Sequence, residues 1–128
     1  MRRPVEEEFT MPTIADYTVV QDISFTLPEP PTGDIDRELD FTTPAVEVGQ
    51  RSILTFNVNP DGDVTYELNL NGTRILTQRL VEPATRVIQE VIPSNVLSTG
   101  NNELVVTRTA GPGSVALSDI VVHFQANI

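Results

Sequence analysis

Four acidic side chains alternate along "DIDRELD" at residues 34–40, a spacing that could direct several carboxylates towards one calcium ion. A second acidic pair flanks the glycine of "DGD" at residues 61–63. A calcium loop of the EF-hand type needs glycine at its sixth position, where Leu39 stands, and glutamate at its twelfth. The same alternation is typical of the solvent side of an edge strand, where charges block pairing with other strands. The candidate ligands for a structural calcium ion are Asp34, Asp36, Glu38, Asp61 and Asp63, with Asp40 completing the row.

Amide side chains near predicted turns could hydrogen-bond the hydroxyl groups of a sugar, because each amide combines donors with an acceptor and a guanidinium adds further donors. The candidates for such a glycan site are Asn69, Asn71, Arg74, Asn101 and Asn102. Sugar sites usually add an aromatic face, and the sequence has no tryptophan and two tyrosines. Tyr17 and Tyr66 share the phase of neighbouring apolar residues, so we expect both in the core or at its edge.

Catalytic chemistry finds little support among these residues. The one histidine, His123, lies between Val122 and Phe124 on an alternating segment and should face away from the core that they form. Ser114 follows Gly113 without the Gly-x-Ser-x-Gly spacing of a nucleophile elbow. A glycosidase needs two carboxylates across a substrate cleft, and this sequence offers no aromatic walls for one. We therefore expect a protein that is not an enzyme.

The charge balance excludes several classes of partner. Eighteen acidic and eight basic residues give a net charge of −10, and all eight basic residues are arginines. Phosphate binding needs a basic face, so neither DNA nor RNA is expected as a partner. An acidic, lysine-free composition is typical of a halophilic protein and equally of a GC-rich genome, and the sequence leaves both open.

Length and hydropathy indicate one soluble domain. A chain of 128 residues can bury a single core, and it contains no cysteine and hence no disulfide. No apolar stretch reaches the roughly 20 residues that a membrane helix needs. The segment "MRRPVEEEFTMP" lacks the apolar run of a secretion signal. We expect no membrane partner, and a location in a virion or other extracellular particle or otherwise in the cytoplasm.

Short runs with a period of two dominate the chain and predict β-strands. Residues 1–16, with prolines and three consecutive glutamates, indicate an extended arm, and alternation then runs from residue 17 to 27. "VTYELNL" at residues 64–70 alternates most clearly, and the Asn-Gly pair after it predicts a type I′ hairpin turn. The apolar phase slips within "VALSDIVVHFQ" at residues 115–125, which predicts a β-bulge near residues 118–119. About eight strands without an amphipathic helix predict an all-β antiparallel sandwich over residues 17–128.

The segment "IPSNVLSTGNNELVV", residues 92–106, places a leucine between two strands. Pro93 lacks a backbone donor and should end the preceding strand. The span to Gly100 is too short for a free loop, so we expect Leu97 to turn inward and close the open end of the sandwich. Gly100 accepts a positive φ and lets the chain return antiparallel.

Four successive segments together resemble the galactose-binding-domain-like jelly roll, a superfamily that includes carbohydrate-binding modules. They are "LNLNGTRIL", "VIQEVIPSNVL", "GNNELVVTRT" and "VALSDIVVHF", and the resemblance covers about residues 64–124. It implies a jelly-roll fold with the leucine of the second segment at the barrel mouth. The superfamily contains sugar-binding modules, accessory domains of enzymes and purely structural domains, so the fold alone leaves the function open.

The most plausible function on the sequence alone is a non-enzymatic subunit of a larger assembly, such as a virion decoration, tail or fibre protein. We expect such a subunit to be oligomeric and to contact its protein neighbours through the arm. The alternative is a carbohydrate-binding module that recognises a surface glycan, and an accessory domain of an enzyme complex is a third possibility.

Overall fold

A computed structural model describes residues 12–127 of the chain as two antiparallel β-sheets packed face to face. Within those residues the strands are β1 (Thr13–Gln21), β2 (Phe25–Leu27), β3 (Asp36–Thr43), β4 (Ser52–Asp61), β5 (Val64–Leu70), β6 (Thr73–Leu80), β7 (Arg86–Ile92), β8 (Gly100–Ala110) and β9 (Ser114–Asn127). Sheet I has the order β1-β9-β4-β7, with β2 also paired to β9, and sheet II has the order β3-β8-β5-β6. The predicted all-β jelly-roll sandwich is confirmed.

Alternating side chains from the central strands fill the space between the sheets. In β5 every second residue is fully buried, at Val64, Tyr66, Leu68 and Leu70. Strands β4, β8 and β9 bury alternate residues in the same way. The period of two in the sequence therefore reflects strands that have one face in the core and the other face in water.

The N-terminal part of the chain differs from its prediction at two points. Strand β1 begins at Thr13 and pairs with β9, so residues 13–16 of the predicted arm belong to sheet I. The predicted strand over residues 17–27 is two strands, β1 and β2, separated at residues 22–24. The expected contact between the arm and neighbouring subunits falls largely on residues 1–11, which lie outside the described residues.

The predicted bulge in β9 is confirmed. Between the pairs Thr55–Val121 and Asn57–Ser118, two residues of β9 lie opposite one residue of β4. Asp119 has a φ of 52°, and its carboxylate accepts a hydrogen bond from Asn57 Nδ2 at 2.8 Å. Beyond the bulge the neighbour of β9 changes from β1 to β2, because β1 pairs with residues 120–127 and β2 with residues 115–117.

The Asn71–Gly72 hairpin is also confirmed. Leu70 pairs with Thr73 across a two-residue turn, and Asn71 and Gly72 have φ values of 50° and 84°. A type I′ turn requires positive φ at both positions, which asparagine and glycine tolerate best. A register shift beside the turn leaves Ile75 as an extra residue in β6.

Leu97 lies in the core although it belongs to a connection between strands. Strand β7 ends at Ile92, directly before Pro93, and β8 begins at Gly100 with a φ of 90°. Leu97 is only 3% exposed, and Val96 packs against the same cluster half-buried. The predicted plug at the end of the sandwich is therefore confirmed.

Replacing Leu97 by alanine should destabilise the domain by about 2–5 kcal/mol, since the neighbouring β-strands cannot collapse into the space that the side chain leaves. Urea unfolding of Leu97→Ala beside the parent chain measures this cost. Val48→Ala, which changes an exposed residue, is the control and should stay within about 0.5 kcal/mol. Equal midpoints for Leu97→Ala and the parent would contradict the plug.

Tyr66 carries a polar group into the centre of the core. Its hydroxyl donates a hydrogen bond to Gln78 Oε1 at 2.6 Å, and its ring meets Phe56 edge to face with centroids 6.4 Å apart. Burial raises the pKa of the Tyr66 phenol far above its ordinary value, and the negative charge of Glu90 raises that pKa further. The folded protein thus holds this proton more tightly than the unfolded chain does.

Tyr66 should therefore make its full contribution to the free energy of unfolding below about pH 10, and this contribution should fall as the pH rises above that value. In Tyr66→Phe the alkaline fall should be smaller, because no phenol is left to titrate at this position. Urea unfolding of Tyr66→Phe and of the parent chain between pH 8 and pH 11 tests the difference. Equal slopes for Tyr66→Phe and the parent would refute this role of the Tyr66 proton.

Candidate functional site

Most of the predicted calcium ligands lie on the outer surface of the edge strand of sheet II. Asp34 precedes β3, and Asp36, Glu38 and Asp40 point to solvent from β3, which among the described strands pairs only with β8. This is the arrangement of an edge strand with a charged outer face. Among residues 12–127 no group of three or more histidine, aspartate or glutamate side chains is arranged to hold a metal ion.

The remaining two acidic candidates lie at the turn between β4 and β5. Asp63 accepts two hydrogen bonds from the guanidinium of Arg79, at 3.0 and 2.8 Å. The hydrogen bond from Arg79 lowers the pKa of the Asp63 carboxyl. Asp61 is exposed at the end of β4. Asp63 therefore has Arg79 as its hydrogen-bond partner.

Two of the five predicted glycan ligands, Asn71 and Asn102, bind each other instead. Asn71 Nδ2 donates to Asn102 Oδ1 at 2.8 Å and to the carbonyl of Val96 at 2.8 Å. Asn71 Oδ1 accepts from the backbone of Glu103 at 2.9 Å. Both polar ends of this side chain are therefore used inside the protein.

Asn102 is the centre of this hydrogen-bond network. It is 4% exposed, and its Oδ1 also accepts from the backbone of Ser98 at 2.8 Å. Its Nδ2 donates to the carbonyls of Ser98 and Gly100 and to Thr43 Oγ1, at 2.9, 3.1 and 3.3 Å. The network ties the hairpin, the start of β8 and the connection that contains Leu97 to one amide.

Of the other three predicted glycan ligands, Asn101 lines a depression together with Asn102. Asn69 and Arg74 are paired residues of β5 and β6, while Asn101 is exposed opposite Thr42 on β3. Their part in sugar binding stays a prediction.

The outer face of sheet I presents a different kind of surface. The register aligns Tyr17, His123, Ile53 and Val91 in one row across four strands. The next row contains Val19, Val121, Thr55 and Gln89. Neither row carries a carboxylate or an arginine, whereas the outer face of sheet II carries Asp36, Glu38, Asp40, Glu67 and Glu103.

Tyr17 is 63% exposed, so its predicted place in or beside the core is wrong. The even-numbered residues of β1, such as Asp16 and Thr18, face the sandwich, while in β2 the odd-numbered Phe25 and Leu27 do so. The break at residues 22–24 changes the phase between the two strands. A tyrosine that shared the phase of Phe25 in the sequence thereby reaches the surface.

A groove lies around Tyr17 on this face. A depression of about 270 Å³ has a lining that includes one carboxylate; its residues are Ala15, Asp16, Tyr17, Arg51, Ile53, His123, Phe124 and Gln125. The Tyr17 and His123 rings are 6.4 Å apart and tilted by 38°, and His123 Nε2 is 3.2 Å from Thr55 Oγ1. One wall of the groove is thus aromatic and apolar.

A second depression, of about 590 Å³, continues the groove towards the loops at one end of sheet I. Its lining is polar, with Thr13, Gln50, Arg51, Ser94 and Gln125. Arg51 and Gln125 line both depressions, so the two form one groove. Aromatic and apolar contacts at one end and several hydrogen-bonding groups at the other suit a polar organic ligand rather than a metal ion.

Sequence reasoning did not find Tyr17, Arg51, Ile53 and Gln125 as a group. A partial signal was present, because Ile53, Val91 and Val121 are apolar residues in the phase that faces water. Apolar residues in the outward phase of several strands mark a surface that something covers.

No protein-family model matches the sequence, and no curated protein matches it. Among solved structures, the chain is similar to part of dimeric latent PorU from Porphyromonas gingivalis, with a TM-score of 0.71 and 14% identity over 90% of the chain. The chain spans only 13% of that PorU chain.

Carbohydrate-binding modules share the same fold. The CBM36-1 domain of a multidomain xylanase from the hindgut metagenome of Trinervitermes trinervoides has a TM-score of 0.54 and 16% identity, over 88% of this chain and all of that domain. A CBM4 structure has a TM-score of 0.51 and 9% identity, over 89% of this chain and 71% of the other. The predicted resemblance to carbohydrate-binding-module-like jelly rolls is therefore confirmed at the level of fold. No helix within residues 12–127 is long and apolar enough to cross a membrane.

Replacing Asn102 by alanine should cost about 2 kcal/mol, because a buried side chain is removed and Asn71 Nδ2 and the backbone of Ser98 lose their acceptor in a partly buried network. Asn101→Ala, next to it but exposed, should cost less than about 0.5 kcal/mol. Chemical denaturation of the two variants measures the contrast. Similar losses for both would mean that the network does not hold this end of the sandwich.

Proposed function

We propose that this chain is a non-catalytic carbohydrate-binding module whose binding site is the outer face of sheet I. The observation that carries the proposal is the exposed Tyr17 ring in a groove that continues into a polar end at Arg51 and Gln125. The similarity in fold to carbohydrate-binding modules supports it.

The groove suits the two kinds of surface on a sugar. A sugar ring has an apolar C–H face, which packs on an aromatic ring and an aliphatic side chain such as Tyr17 and Ile53. Its edge carries hydroxyl groups, which need both donors and acceptors. Gln125 and Gln50 offer both, and Arg51 adds donors in a fixed planar geometry.

The distribution of charge favours sheet I over sheet II as the binding face. Covering a charged side chain without a partner costs free energy, and the groove on sheet I is lined by one carboxylate, Asp16, and one arginine, Arg51. The five carboxylates on the outer face of sheet II would have to be stripped of water or paired. A neutral glycan therefore meets the smaller desolvation cost on sheet I.

The comparisons favour the carbohydrate-binding alternative over the expected virion, tail or fibre subunit. The named modules bind carbohydrate by their own description, and no finding bears on a virion. A role in a larger assembly, an extracellular location and contacts through the arm stay predictions.

Tyr17→Ala should lower the affinity for a bound glycan by on the order of tenfold, since an aromatic contact contributes about 1.5 kcal/mol. A glycan array would identify the ligand, and affinity electrophoresis in gels that contain it would compare the variants. Tyr17→Phe, which keeps the ring, should bind nearly as well as the parent.

Asn101→Ala and Arg74→Ala are the controls for the site predicted from the sequence and should leave retention unchanged. Loss of binding in either of them, with Tyr17→Ala unaffected, would move the site to sheet II. The absence of any bound glycan across a broad array would overturn the proposed function.

A further inference from the structure

Strand β7 is an edge of sheet I whose free side is unusually open. Among the described strands it pairs only with β4, over the whole range from Arg86 to Ile92 without a register shift. Its outward residues are Val87, which is 74% exposed, Gln89, and Val91, which is 50% exposed. A regular edge strand with exposed valines presents unpaired backbone groups and an apolar surface to another strand.

The other edges of the two sheets carry features that oppose strand addition. Strand β3 has the acidic outer row at residues 36–40, and β6 contains the extra residue Ile75. The edge opposite β7 is divided between β1 and β2 at the bulge in β9. Charge, irregularity and interruption each hinder pairing with a foreign strand, and β7 has none of the three on its outward face.

We propose that two copies of this chain pair antiparallel through β7, with Gln89 of each copy on the twofold axis. The outward residues Val87, Gln89 and Val91 are symmetric about Gln89, so this register sets Val87 of one copy opposite Val91 of the other, twice. Cross-strand pairs of β-branched residues stabilise antiparallel sheets. A twofold interface needs a patch that is complementary to itself, and this segment meets that condition.

The charged residues on the inward side of β7 favour pairing with a second copy of this chain rather than with an unrelated strand. Glu90 and Arg86 both face the sandwich, where their charges act in opposite directions on the Tyr66 phenol. An unrelated strand would enclose the half-buried Glu90 carboxylate without a partner. In the proposed register Glu90 lies opposite Ile88 of the second copy, with Arg86 and Glu90 of that copy on its two diagonals. Each Glu90 thus has an arginine within reach of a long side chain, which offsets the second glutamate.

Arg86 can make that contact and keep its present ones. Its Nη1 atom donates to the carbonyls of Glu82 and Ala84, at 3.2 and 3.1 Å. A guanidinium has five N–H donors in all, so donors remain for a carboxylate. The inference rests on β7 alone and is independent of the proposed function, although the pairing would turn both grooves to the same side of one continuous sheet.

Sedimentation equilibrium of the chain over a range of concentrations should reveal a reversible dimer. Val87→Lys should raise its dissociation constant by about tenfold or more, because each dimer loses two cross-strand valine pairs and gains two charges at the interface. Ile23→Lys is the matched control, since Ile23 is 76% exposed on the opposite edge of sheet I. A monomeric parent chain at all concentrations, or equal effects of the two lysines, would overturn the proposal.

A charge exchange tests the register. Arg86→Glu and Glu90→Arg should each weaken self-association, because each variant has only like charges on every diagonal between the copies. A mixture of the two variants should form a mixed dimer, because one copy then carries two glutamates and the other two arginines, and every diagonal pair is of opposite sign. Thermal unfolding of each variant checks that the monomer is folded, and a mixture that stays monomeric would refute the register.

Gln89→Cys gives a second measurement without a change of charge. The chain has no cysteine, so a disulfide-linked dimer in mild oxidant must join the two copies at this position. Ile23→Cys, treated alike, should cross-link at least tenfold more slowly. Equal rates would contradict a twofold axis at Gln89.

Discussion

The hydrogen bonds of Asn102 are the constraint on which one whole end of the domain depends. Seven residues connect β7 to β8, and such a connection has backbone groups that neither sheet satisfies. A single buried amide supplies partners for Ser98, Gly100, Thr43 and Asn71. A polar group enclosed without a partner is costly, so the network permits few alternative arrangements. Leu97 is held at the barrel mouth because the chain on either side of it is fixed by these bonds.

Sheet I depends in the same way on the bulge in β9. This strand is the longest of those described, and it pairs with β1, β2 and β4. The extra residue at Asp119 lets the inward face of β9 continue from Leu117 to Ile120 despite the change of phase. It also separates β1 from β2, and so turns Tyr17 outward. The aromatic wall of the groove is thus a consequence of an irregularity in β9, the strand that also supplies Gln125 to the groove's polar end.

Much of the fold could be predicted because its signals are local. Alternation in residues 64–70, the Asn71–Gly72 pair and the phase slip near Asp119 each depend on a few neighbouring residues and on backbone geometry. The position of Leu97 followed from the shortness of its connection. The groove could not be predicted in this way, because it combines residues from β1, β4 and β9 that only the register brings together. The roles of Asn71 and Asn102 could not be predicted either, since a sequence cannot tell whether an amide near a turn faces a ligand or another amide.

Among the described residues, charge is placed unevenly on the two outer faces. Sheet II holds a band of carboxylates, while the two rows of sheet I at Tyr17 and Val19 hold none. Near a negatively charged surface, such a body experiences a torque as well as a repulsion, and it turns its acidic side away. The face with Tyr17 then leads the approach before any contact is made. Salt shortens the range of this alignment, to about 8 Å at physiological ionic strength, so orientation and net repulsion weaken together as the ionic strength rises.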